Sequence, residues 1–195
     1  MMGEKVYLGA QDLLEDSFRL GAAVVNSDYR PTIMIAIWRG GAPVGVAVQE
    51  FLAYAGIETD HIAIRTSSYT GIDGRSSEIR IHGMNYLIEK VRQEDRLLIV
   101  DDVFDTGSTI DAVINYLERK ARLNTPGDIR VAVPYYKPAR NLTDRVPDYY
   151  LHETTEWLKY PHSLEGLSVE EVAEHRPELY AILRPCLSQA ITRSS

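Results

Sequence analysis

The sequence predicts an α/β fold in which a mainly parallel, twisted sheet is flanked by helices. Three short, largely apolar runs support this prediction, at residues 32–37, 97–100 and 129–133, and residues 33–37 and 97–100 are apolar without interruption. Continuous apolar runs of this length are typical of strands that are buried on both faces of a parallel sheet. Helical patterns follow the first two runs, which indicates β-α units. The 195 residues suit a single domain with one core.

Composition and charge exclude several classes of protein. The chain has 21 basic and 28 acidic residues and a net charge of −7, whereas a general nucleic-acid binder normally carries a basic excess. The one cysteine, Cys186, cannot form an internal disulfide, and no Cys/His cluster indicates zinc. The sequence shows neither a signal-peptide core nor an apolar run of the ~20 residues that span a bilayer. We therefore expect a cytoplasmic protein without nucleic-acid or membrane partners.

The first β-α unit carries an arginine beside two glycines. A helix is predicted at about Ala10–Val25, and a strand follows at Thr32–Ile37. The strand ends in Trp-Arg-Gly-Gly at residues 38–41, and a second helix is predicted at Ala42–Tyr54. An arginine with two glycines at the carboxyl end of a strand can bind an anion through its side chain and exposed backbone N–H groups. The same residues also suit a plain glycine turn with a surface arginine.

A long polar segment follows the next predicted strand, His61–Ile64. It occupies residues 65–77 and contains two glycines. Long loops of this kind are usually functional lids or disordered segments. A lid suits a reaction that passes through an oxocarbenium-like state, because water would quench that state. Ile81–Val91 then suits a helix, alone or with a strand.

The most informative segment is residues 97–110, where the second apolar run passes into a helix. After the strand come Asp101 and Asp102, then Asp105 and the hydroxyl-rich turn Thr106–Thr109, before a helix at Ile110–Ala121. Hydroxyl groups, a glycine and the N–H groups of a helix start form a cradle for a phosphate. The three carboxylates would repel it unless they face sugar hydroxyls, a Mg²⁺ ion or a group that loses a proton. A sugar phosphate therefore fits this segment better than a bare phosphate.

Two further groups of candidate residues follow predicted strands in the second half of the chain. Lys137 comes shortly after the strand Ile129–Val133, and Trp157-Leu158 follows the strand Asp148–His152. A lone lysine is usually a solvated surface charge. An aromatic–aliphatic pair either packs in the core or sandwiches a flat base. Ser168–Ser188 is predicted to form one or two helices, beginning with a capping sequence.

The segment at residues 97–110 resembles the phosphoribosyl pyrophosphate (PRPP) binding motif of type I phosphoribosyltransferases. Further segments resemble those of the purine-specific members in order and spacing: Arg39-Gly40-Gly41, Ser67-Ser68-Tyr69, Lys137-Pro138 and Trp157-Leu158. The resemblance extends over about residues 30–165. PRPP synthetases and regulatory proteins share the central motif, so the motif alone implies the fold and the sugar-phosphate ligand, and leaves the reaction open.

The resemblance implies a type I phosphoribosyltransferase fold with a core at about residues 30–152 and a small hood from about residues 1–30 and 153–195. It implies a homo-oligomer, commonly a dimer or tetramer. The implied reaction joins two small-molecule partners, PRPP and hypoxanthine, guanine or xanthine, at N9 of the purine. It gives the nucleoside 5′-monophosphate and pyrophosphate, with Mg²⁺ as cofactor, in purine salvage. A PRPP- or nucleotide-binding regulator, and a transferase for another base such as orotate, are the alternatives.

The resemblance also implies a role for each matching residue. Asp101 and Asp102 would bind the ribose hydroxyls and the metal, directly or through water. Asp105 would lie near N7 of the base as general base or charge stabiliser. The remaining roles are binding of the 5′-phosphate by Asp105, Thr106, Gly107, Ser108 and Thr109, of pyrophosphate by Arg39, Gly40, Ser68 and Tyr69, and of the purine by Lys137, Trp157 and Leu158. A cation at Lys137 favours a 6-oxo group over the 6-amino group of adenine.

Three details of the resemblance concern single positions. Purine-specific members often have a cis peptide before the basic residue of the pyrophosphate loop, which here is the Trp38–Arg39 bond. Many relatives place a metal-binding aspartate after the purine-binding turn, where this chain offers Glu165. Some relatives place an arginine for pyrophosphate a few residues later, and the first arginine there is Arg176.

Overall fold

The computed structural model describes residues 5–70 and 77–193, without the side chains at 68–70, 77–78 and 187–193. The strands are β1 (Lys5–Tyr7), β2 (Ile33–Trp38), β3 (Asp60–Thr70), β4 (Ser77–His82), β5 (Arg96–Val100), β6 (Val103–Phe104), β7 (Asp128–Tyr136), β8 (Tyr149–Glu153) and β9 (Trp157–Lys159). The α-helices are α1 (Ala10–Asn26), α2 (Gly41–Tyr54), α3 (Asn85–Lys90), α4 (Ser108–Ala121), α5 (Val169–His175) and α6 (Pro177–Arg193).

A seven-stranded sheet forms the centre of the chain. Its order is β4-β3-β2-β5-β7-β6, and β8 also pairs with β7. Among the described strands of this sheet, β4 alone runs antiparallel to its neighbour. The carboxyl ends of the parallel strands therefore lie along one edge. This arrangement confirms the predicted α/β fold with a mainly parallel sheet.

Helices cover both faces of the sheet, because alternate residues of a strand point to opposite faces. On one face, Ile35 and Ile99 join a cluster with residues of α3 and α4. On the other face, Met34 and Leu98 join a cluster with residues of α1 and α2. None of these four strand residues is more than 2% exposed. The continuous apolar runs therefore reflect burial on both faces.

The polar segment at residues 65–77 differs most from the prediction. The expectation of a strand ending at Ile64 followed by a long loop is wrong, because β3 continues to Thr70. Its second half pairs antiparallel with β4, with Thr66 opposite Ile81. The β-branched, hydroxyl and aromatic residues of this segment suit a strand at the solvated edge of a sheet. Residues 71–76, the middle of the segment 65–77 that was expected to form a lid, lie outside the described residues.

Strand β7 also extends beyond its predicted end, and it contains a proline. Pro134 has no partner in the ladder with β8, although Val133 and Tyr135 on either side are paired. On the other edge, β5 ends opposite Ala132 and β6 begins opposite Tyr135. Proline therefore lies in the gap between two ladders, where its missing N–H removes no sheet hydrogen bond. The extension carries the chain on to Lys137 at the carboxyl edge.

The two ends of the chain meet in a second, two-stranded sheet. Strand β1 lies parallel to β9, with Val6 opposite Leu158, and Lys5 forms an ion pair with Glu171 of α5. The predicted capping start of α5 is confirmed, because Ser168 and Glu171 form a reciprocal capping box. Helix α1 packs against α2 and strands β7 and β8 of the central sheet. Among the described helices, none has the length and apolar character to cross a bilayer.

Candidate active site

Two cavities open at the carboxyl edge of the parallel strands, where ligands bind in open α/β sheets. The first, of about 640 Å³, is lined by Trp38, Arg39, Gly40, Arg65, Thr66, Asp102, Tyr160, His162 and Ser163. The second, of about 380 Å³, is lined by Val103, Asp105, Lys137, Trp157, Leu158, Lys159, Tyr160, Ser163, Glu165 and Gly166. Tyr160 and Ser163 line both cavities, so the cavities adjoin.

The glycine loop after β2 packs directly against the acidic pair after β5. A Cβ atom on Gly40 would lie 1.9 Å from Asp102 Oδ2, and one on Gly41 would lie 2.7 Å from the Val100 carbonyl oxygen. Only glycine therefore allows this approach. The Trp38–Arg39 peptide is cis, which confirms the expectation drawn from the resemblance. The loop brings the cation of Arg39 to the same cavity as Asp102.

The acidic pair is partly buried, and its two carboxyl groups interact. The backbone N–H of Asp102 donates to Asp101 Oδ1 at 3.0 Å. Burial raises the pKa of Asp101 well above its usual value, and the neighbouring Asp102 carboxyl raises it further. Burial also raises the pKa of Asp102 to about 6, although hydrogen bonds and the charge of Lys137 act in the opposite direction. A bound cation or hydroxyl donors would relieve this unfavourable burial of negative charge.

The turn from Thr106 to Thr109 forms the start of α4. Gly107 has φ of 79°, a left-handed conformation that favours glycine, and a Cβ atom there would lie 2.5 Å from Thr143 Oγ1. The Thr106 hydroxyl donates to Ser108 Oγ at 3.1 Å. Helix α4 begins at Ser108, so its first backbone N–H groups point out of the helix beside these hydroxyls. The turn has the hydrogen-bond donors and the helix-dipole charge that bind a phosphate.

Asp105 lies between two cations. Its Oδ2 atom is 3.8 Å from Lys137 Nζ, and its Oδ1 atom is 2.8 Å from Arg140 Nε. The Arg140 N–H is not aligned on Oδ1, and this buried oxygen accepts no hydrogen bond within the described part of the chain. Buried oxygen atoms normally accept a hydrogen bond. Oδ1 is enclosed beside Arg140, while the Asp105 side chain as a whole is 33% exposed and lines the second cavity.

The second cavity contains the residues predicted to bind a purine. Lys137 is buried, and its Nζ lies 5.8 Å from the centre of the Trp157 ring. Trp157 is 45% exposed, so its ring can accept a stacked ligand. Leu158 also lines the cavity but packs against the apolar cluster on the α1–α2 face of the sheet. Leu158 therefore connects the cavity wall to the core.

The loop after β9 is fixed by Arg176. Its guanidinium donates to the carbonyl oxygen atoms of Lys159, Tyr160, Pro161 and Ser163, at 2.8–3.4 Å. These bonds occupy the guanidinium with the protein backbone, so Arg176 is a structural clamp. The Tyr160 hydroxyl extends from the same loop and donates to the Asp102 carbonyl oxygen at 3.0 Å. The loop is thus tied to the acidic pair.

The structure tests the prediction made for Glu165 but not the prediction made for Ser68 and Tyr69. The Glu165 carboxylate, from the lining of the second cavity, forms an ion pair with Arg39, from the lining of the first. The backbone of Ser68 and Tyr69 lies in β3, but their side chains are outside the described residues, so their predicted role stays a prediction. No cluster of three or more metal-binding side chains occurs in the described ranges.

Sequence reasoning missed four residues of this site. Arg65 lines the first cavity beside Trp38, its partner in the β2–β3 ladder, and its position directly after an apolar run was an available signal. Tyr160 and Arg140 approach the acidic residues through loops whose path the sequence does not reveal. Lys159 is two residues from Trp157 on β9 and therefore shares its face, but a strand of three residues gives no recognisable pattern in the sequence.

Comparisons with known proteins agree with this geometry. A family model described as the phosphoribosyl transferase domain matches residues 8–169. The comparison with curated proteins found no match. Among solved structures, the purine phosphoribosyltransferase from Pyrococcus horikoshii Ot3 is similar at 26% identity with a TM-score of 0.65, over 84% of this chain and 97% of that chain.

Two more distant structures share the fold. A hypothetical protein from Neisseria gonorrhoeae with bound ppGpp has 21% identity and a TM-score of 0.69, over 85% of this chain and 93% of its own. The xanthine-guanine-hypoxanthine phosphoribosyltransferase of Helicobacter pylori has 18% identity and a TM-score of 0.61, over 80% of this chain and 92% of its own. The family match covers most of the sequence and includes every residue that lines the two cavities. The chain therefore belongs to the phosphoribosyl transferase domain family.

Proposed function

We propose that this protein transfers the 5-phosphoribosyl group from PRPP to N9 of a 6-oxopurine, giving the nucleoside 5′-monophosphate and pyrophosphate, in purine salvage. The observation that carries the proposal is the adjoining pair of cavities. Asp102 and Arg39 line the first, Asp105 and Trp157 line the second, and Tyr160 separates them. A sugar that occupies the junction can hold pyrophosphate on one side and face a base on the other.

Binding of the phosphoribosyl group is assigned to the segment between β5 and α4. The Thr106–Thr109 turn supplies hydroxyl and N–H donors for the 5′-phosphate, and the start of α4 adds partial positive charge. The carboxyl groups of Asp101 and Asp102 accept hydrogen bonds from the ribose hydroxyls. The pKa values of both groups are raised because the carboxyl groups are buried without enough positive charge nearby. Hydrogen bonds from the ribose hydroxyls stabilise the charged carboxylates and so offset the cost of their burial.

Pyrophosphate is assigned to the first cavity. Arg39 and Gly40 come from the glycine loop, Arg65 from β3, and Ser68 and Tyr69 from the continuation of β3. The acidic pair suits Mg²⁺, which is usually held by one or two carboxylates together with substrate phosphates and water. When bound, Mg²⁺ neutralises charge on the pyrophosphate. Arg39 and Arg65 add positive charge from the protein, where the leaving group becomes more negative.

The base is assigned to the second cavity. Trp157 stacks on the purine, with Leu158 in the wall of the cavity, and Lys137 donates to the 6-oxo oxygen. In the transfer, N9 forms a bond to C1 of the ribose as the bond from C1 to the pyrophosphate oxygen breaks. Asp105, which lines this cavity, accepts the N–H proton of the base or stabilises the positive charge that develops on the reacting ring. Positioning of the two substrates supplies much of the catalysis.

The contact between Lys137 and the base distinguishes purine classes. Lys137 is buried, and its ammonium group can only donate hydrogen bonds. A 6-oxo group accepts such a bond, whereas the 6-amino group of adenine is itself a donor. The alternatives are a transferase for orotate and a PRPP- or nucleotide-binding regulator. We also expect the protein to be a homo-oligomer, a dimer or tetramer.

One assay tests the proposal. The protein is incubated with PRPP, Mg²⁺ and one of hypoxanthine, guanine, xanthine, adenine or orotate, and the nucleotide formed is identified by chromatography. We expect turnover with at least one 6-oxopurine and no turnover with adenine. Turnover with orotate alone would make the protein a pyrimidine enzyme. Nucleotide binding without turnover of any base would make it a regulator on the same fold.

A further inference from the structure

The base cavity contains a second buried lysine. Lys137 and Lys159 are 5% and 7% exposed, although lysine is almost never buried without a partner. The Nζ atoms of both lie near the Trp157 ring, at 5.8 Å and 5.9 Å from its centre. Two cations therefore flank the surface on which a flat base is proposed to stack. A single lysine is enough to donate a hydrogen bond to the 6-oxo group of a base.

Lys159 has unused donors that face the cavity. Its Nζ donates to the Glu165 carbonyl oxygen at 3.0 Å, and no described carboxylate lies within ion-pair distance of it, because the Glu165 carboxylate pairs with Arg39. A Cβ atom on Gly166 would lie 3.3 Å from Nζ, so glycine leaves space beside the ammonium group. An ammonium group has three N–H donors. Two donors remain for a ligand in the cavity.

The backbone holds Lys159 in place. It is the last residue of β9, and its carbonyl oxygen accepts hydrogen bonds from the Leu8 N–H at 3.0 Å and from Arg176 at 3.2 Å. Leu158 on the opposite face of the strand packs against the core. The direction of the Lys159 side chain is therefore set by the strand, and a buried donor held in this way selects for a matching acceptor.

We propose that Lys159 determines specificity by donating to a second oxo group of the base, so that the protein prefers a 2,6-dioxopurine, xanthine. This inference rests on the proposed function and names its substrate. The 2-amino group of guanine would direct N–H donors at the Lys159 ammonium group. Hypoxanthine, which has only hydrogen at position 2, would leave the buried ammonium group without its acceptor. With Lys137 on the 6-oxo group, both cations then have a partner.

The test is a set of kcat/KM values for xanthine, guanine and hypoxanthine with the wild-type protein and three variants. Lys159→Met keeps the apolar stem and removes the donor. Lys159→Arg keeps a cation, and Lys120→Met is a matched control at an exposed lysine near the end of α4. We expect the wild type to prefer xanthine. A hydrogen bond to a charged donor is worth about 1.5–3 kcal/mol, so Lys159→Met should lower the xanthine-to-hypoxanthine ratio by roughly 10- to 100-fold.

Each outcome of this test is decisive. Loss of the xanthine advantage in Lys159→Met, with part of it kept in Lys159→Arg, supports the inference. A wild-type preference for guanine or hypoxanthine overturns it without any variant, even where Lys159→Met fails to fold. An unchanged ratio in a folded Lys159→Met protein also overturns it, while the proposed function stands. Absence of turnover with all three bases overturns the proposed function, and this inference with it.

Discussion

At the residue scale, three neighbouring carboxyl groups have three different environments. Asp101 and Asp102 lie side by side and are partly buried, which raises the pKa of both. Asp105, three residues later, is close to Lys137 and Arg140. The first two are therefore short of positive charge and suit a ligand that supplies a cation or hydroxyl donors. Asp105 already lies beside the cations of Lys137 and Arg140, so its carboxylate suits a ligand that donates a proton.

Asp105→Asn tests the assignment of Asp105 to catalysis. The amide keeps the size of the side chain but cannot accept a proton or carry negative charge, so we expect kcat to fall on the order of 10²–10⁴-fold. The melting temperature should also fall, because the buried Lys137 loses its carboxylate partner, so kcat is measured well below that temperature. Asp111→Asn, on the first turn of α4, is the matched control and should retain activity. Equal activity in Asp105→Asn and wild type would contradict the assignment.

Asp102→Asn tests the burial of the acidic pair through its effect on stability. The pKa of Asp102 is about 6 in the folded protein and about 3.9 in an unfolded chain. The folded state thus binds the proton more tightly, and the free energy of unfolding of the wild type falls as pH rises from about 4 through about 6. Asparagine does not titrate. We therefore expect Asp102→Asn to gain stability relative to wild type between pH 4.5 and pH 7.5, by on the order of 1–2 kcal/mol.

Urea denaturation at the two pH values measures this change. The Asp111→Asn protein serves again as the control, because its stability difference from wild type should not follow the same course between pH 4.5 and pH 7.5. A stability difference for Asp102→Asn that is identical at both pH values would show that Asp102 is ionised normally in the folded protein.

At the element scale, two loops bring the site together from distant parts of the sequence. The glycine loop between β2 and α2 packs on Asp102, and the loop after β9 is clamped by Arg176 and bonded to the Asp102 carbonyl through Tyr160. The strands fix the positions of the residues at their ends. The loops then close the two cavities over those positions, and the loop after β9 lines both of them.

Gly40→Ala tests the close packing of the glycine loop. The added methyl group would lie 1.9 Å from Asp102 Oδ2, so the loop or the carboxyl group must move. We expect KM for PRPP to rise by roughly tenfold or more, since displacement of a binding group by about 1 Å can cost this much. In Gly56→Ala, a matched control, the new Cβ meets open space at φ of 80°. That control should lose about 1 kcal/mol of stability but keep its KM for PRPP.

Arg176→Lys tests the clamp on the loop after β9. Lysine keeps the charge but loses the planar set of donors that reaches four carbonyl oxygen atoms. We expect KM for the purine to rise several-fold more than KM for PRPP, because Trp157 and Lys159 lie next to this loop. Arg119→Lys on α4 is the control. An equal rise in both constants would indicate a general loss of structure.

At the scale of the whole molecule, the central sheet was predictable and its solvated edge was not. The parallel strands follow from apolar runs such as Leu97–Val100, because only a strand buried on both faces has this pattern. The hairpin of β3 and β4 lacks that signal, since residues 65–70 are polar and gain their strand conformation from pairing with β4. Strand β7 passes through Pro134 only because the proline falls between two ladders, which the sequence alone does not reveal.

The candidate site was predictable where its residues are close in sequence. The acidic pair and the Thr106–Thr109 turn form one continuous segment, and the structure brings Arg39 and Lys137 to the same edge. Arg140 and Tyr160 were missed because each reaches the site through a loop, and their contacts depend on the packing of distant elements. The position of Lys159 needed only the two-residue period of a strand, but β9 is too short to be recognised in the sequence.

The most direct test of the account is a crystal structure of the protein with a 6-oxopurine nucleoside monophosphate, Mg²⁺ and pyrophosphate. We predict the 5′-phosphate on the Thr106–Thr109 turn, the ribose hydroxyls on Asp101 and Asp102, and the base on Trp157 between Lys137 and Lys159. Pyrophosphate should lie beside Arg39 and Arg65. A nucleotide bound elsewhere, or with its base in the first cavity, would contradict the proposal that the adjoining cavities form one transferase site.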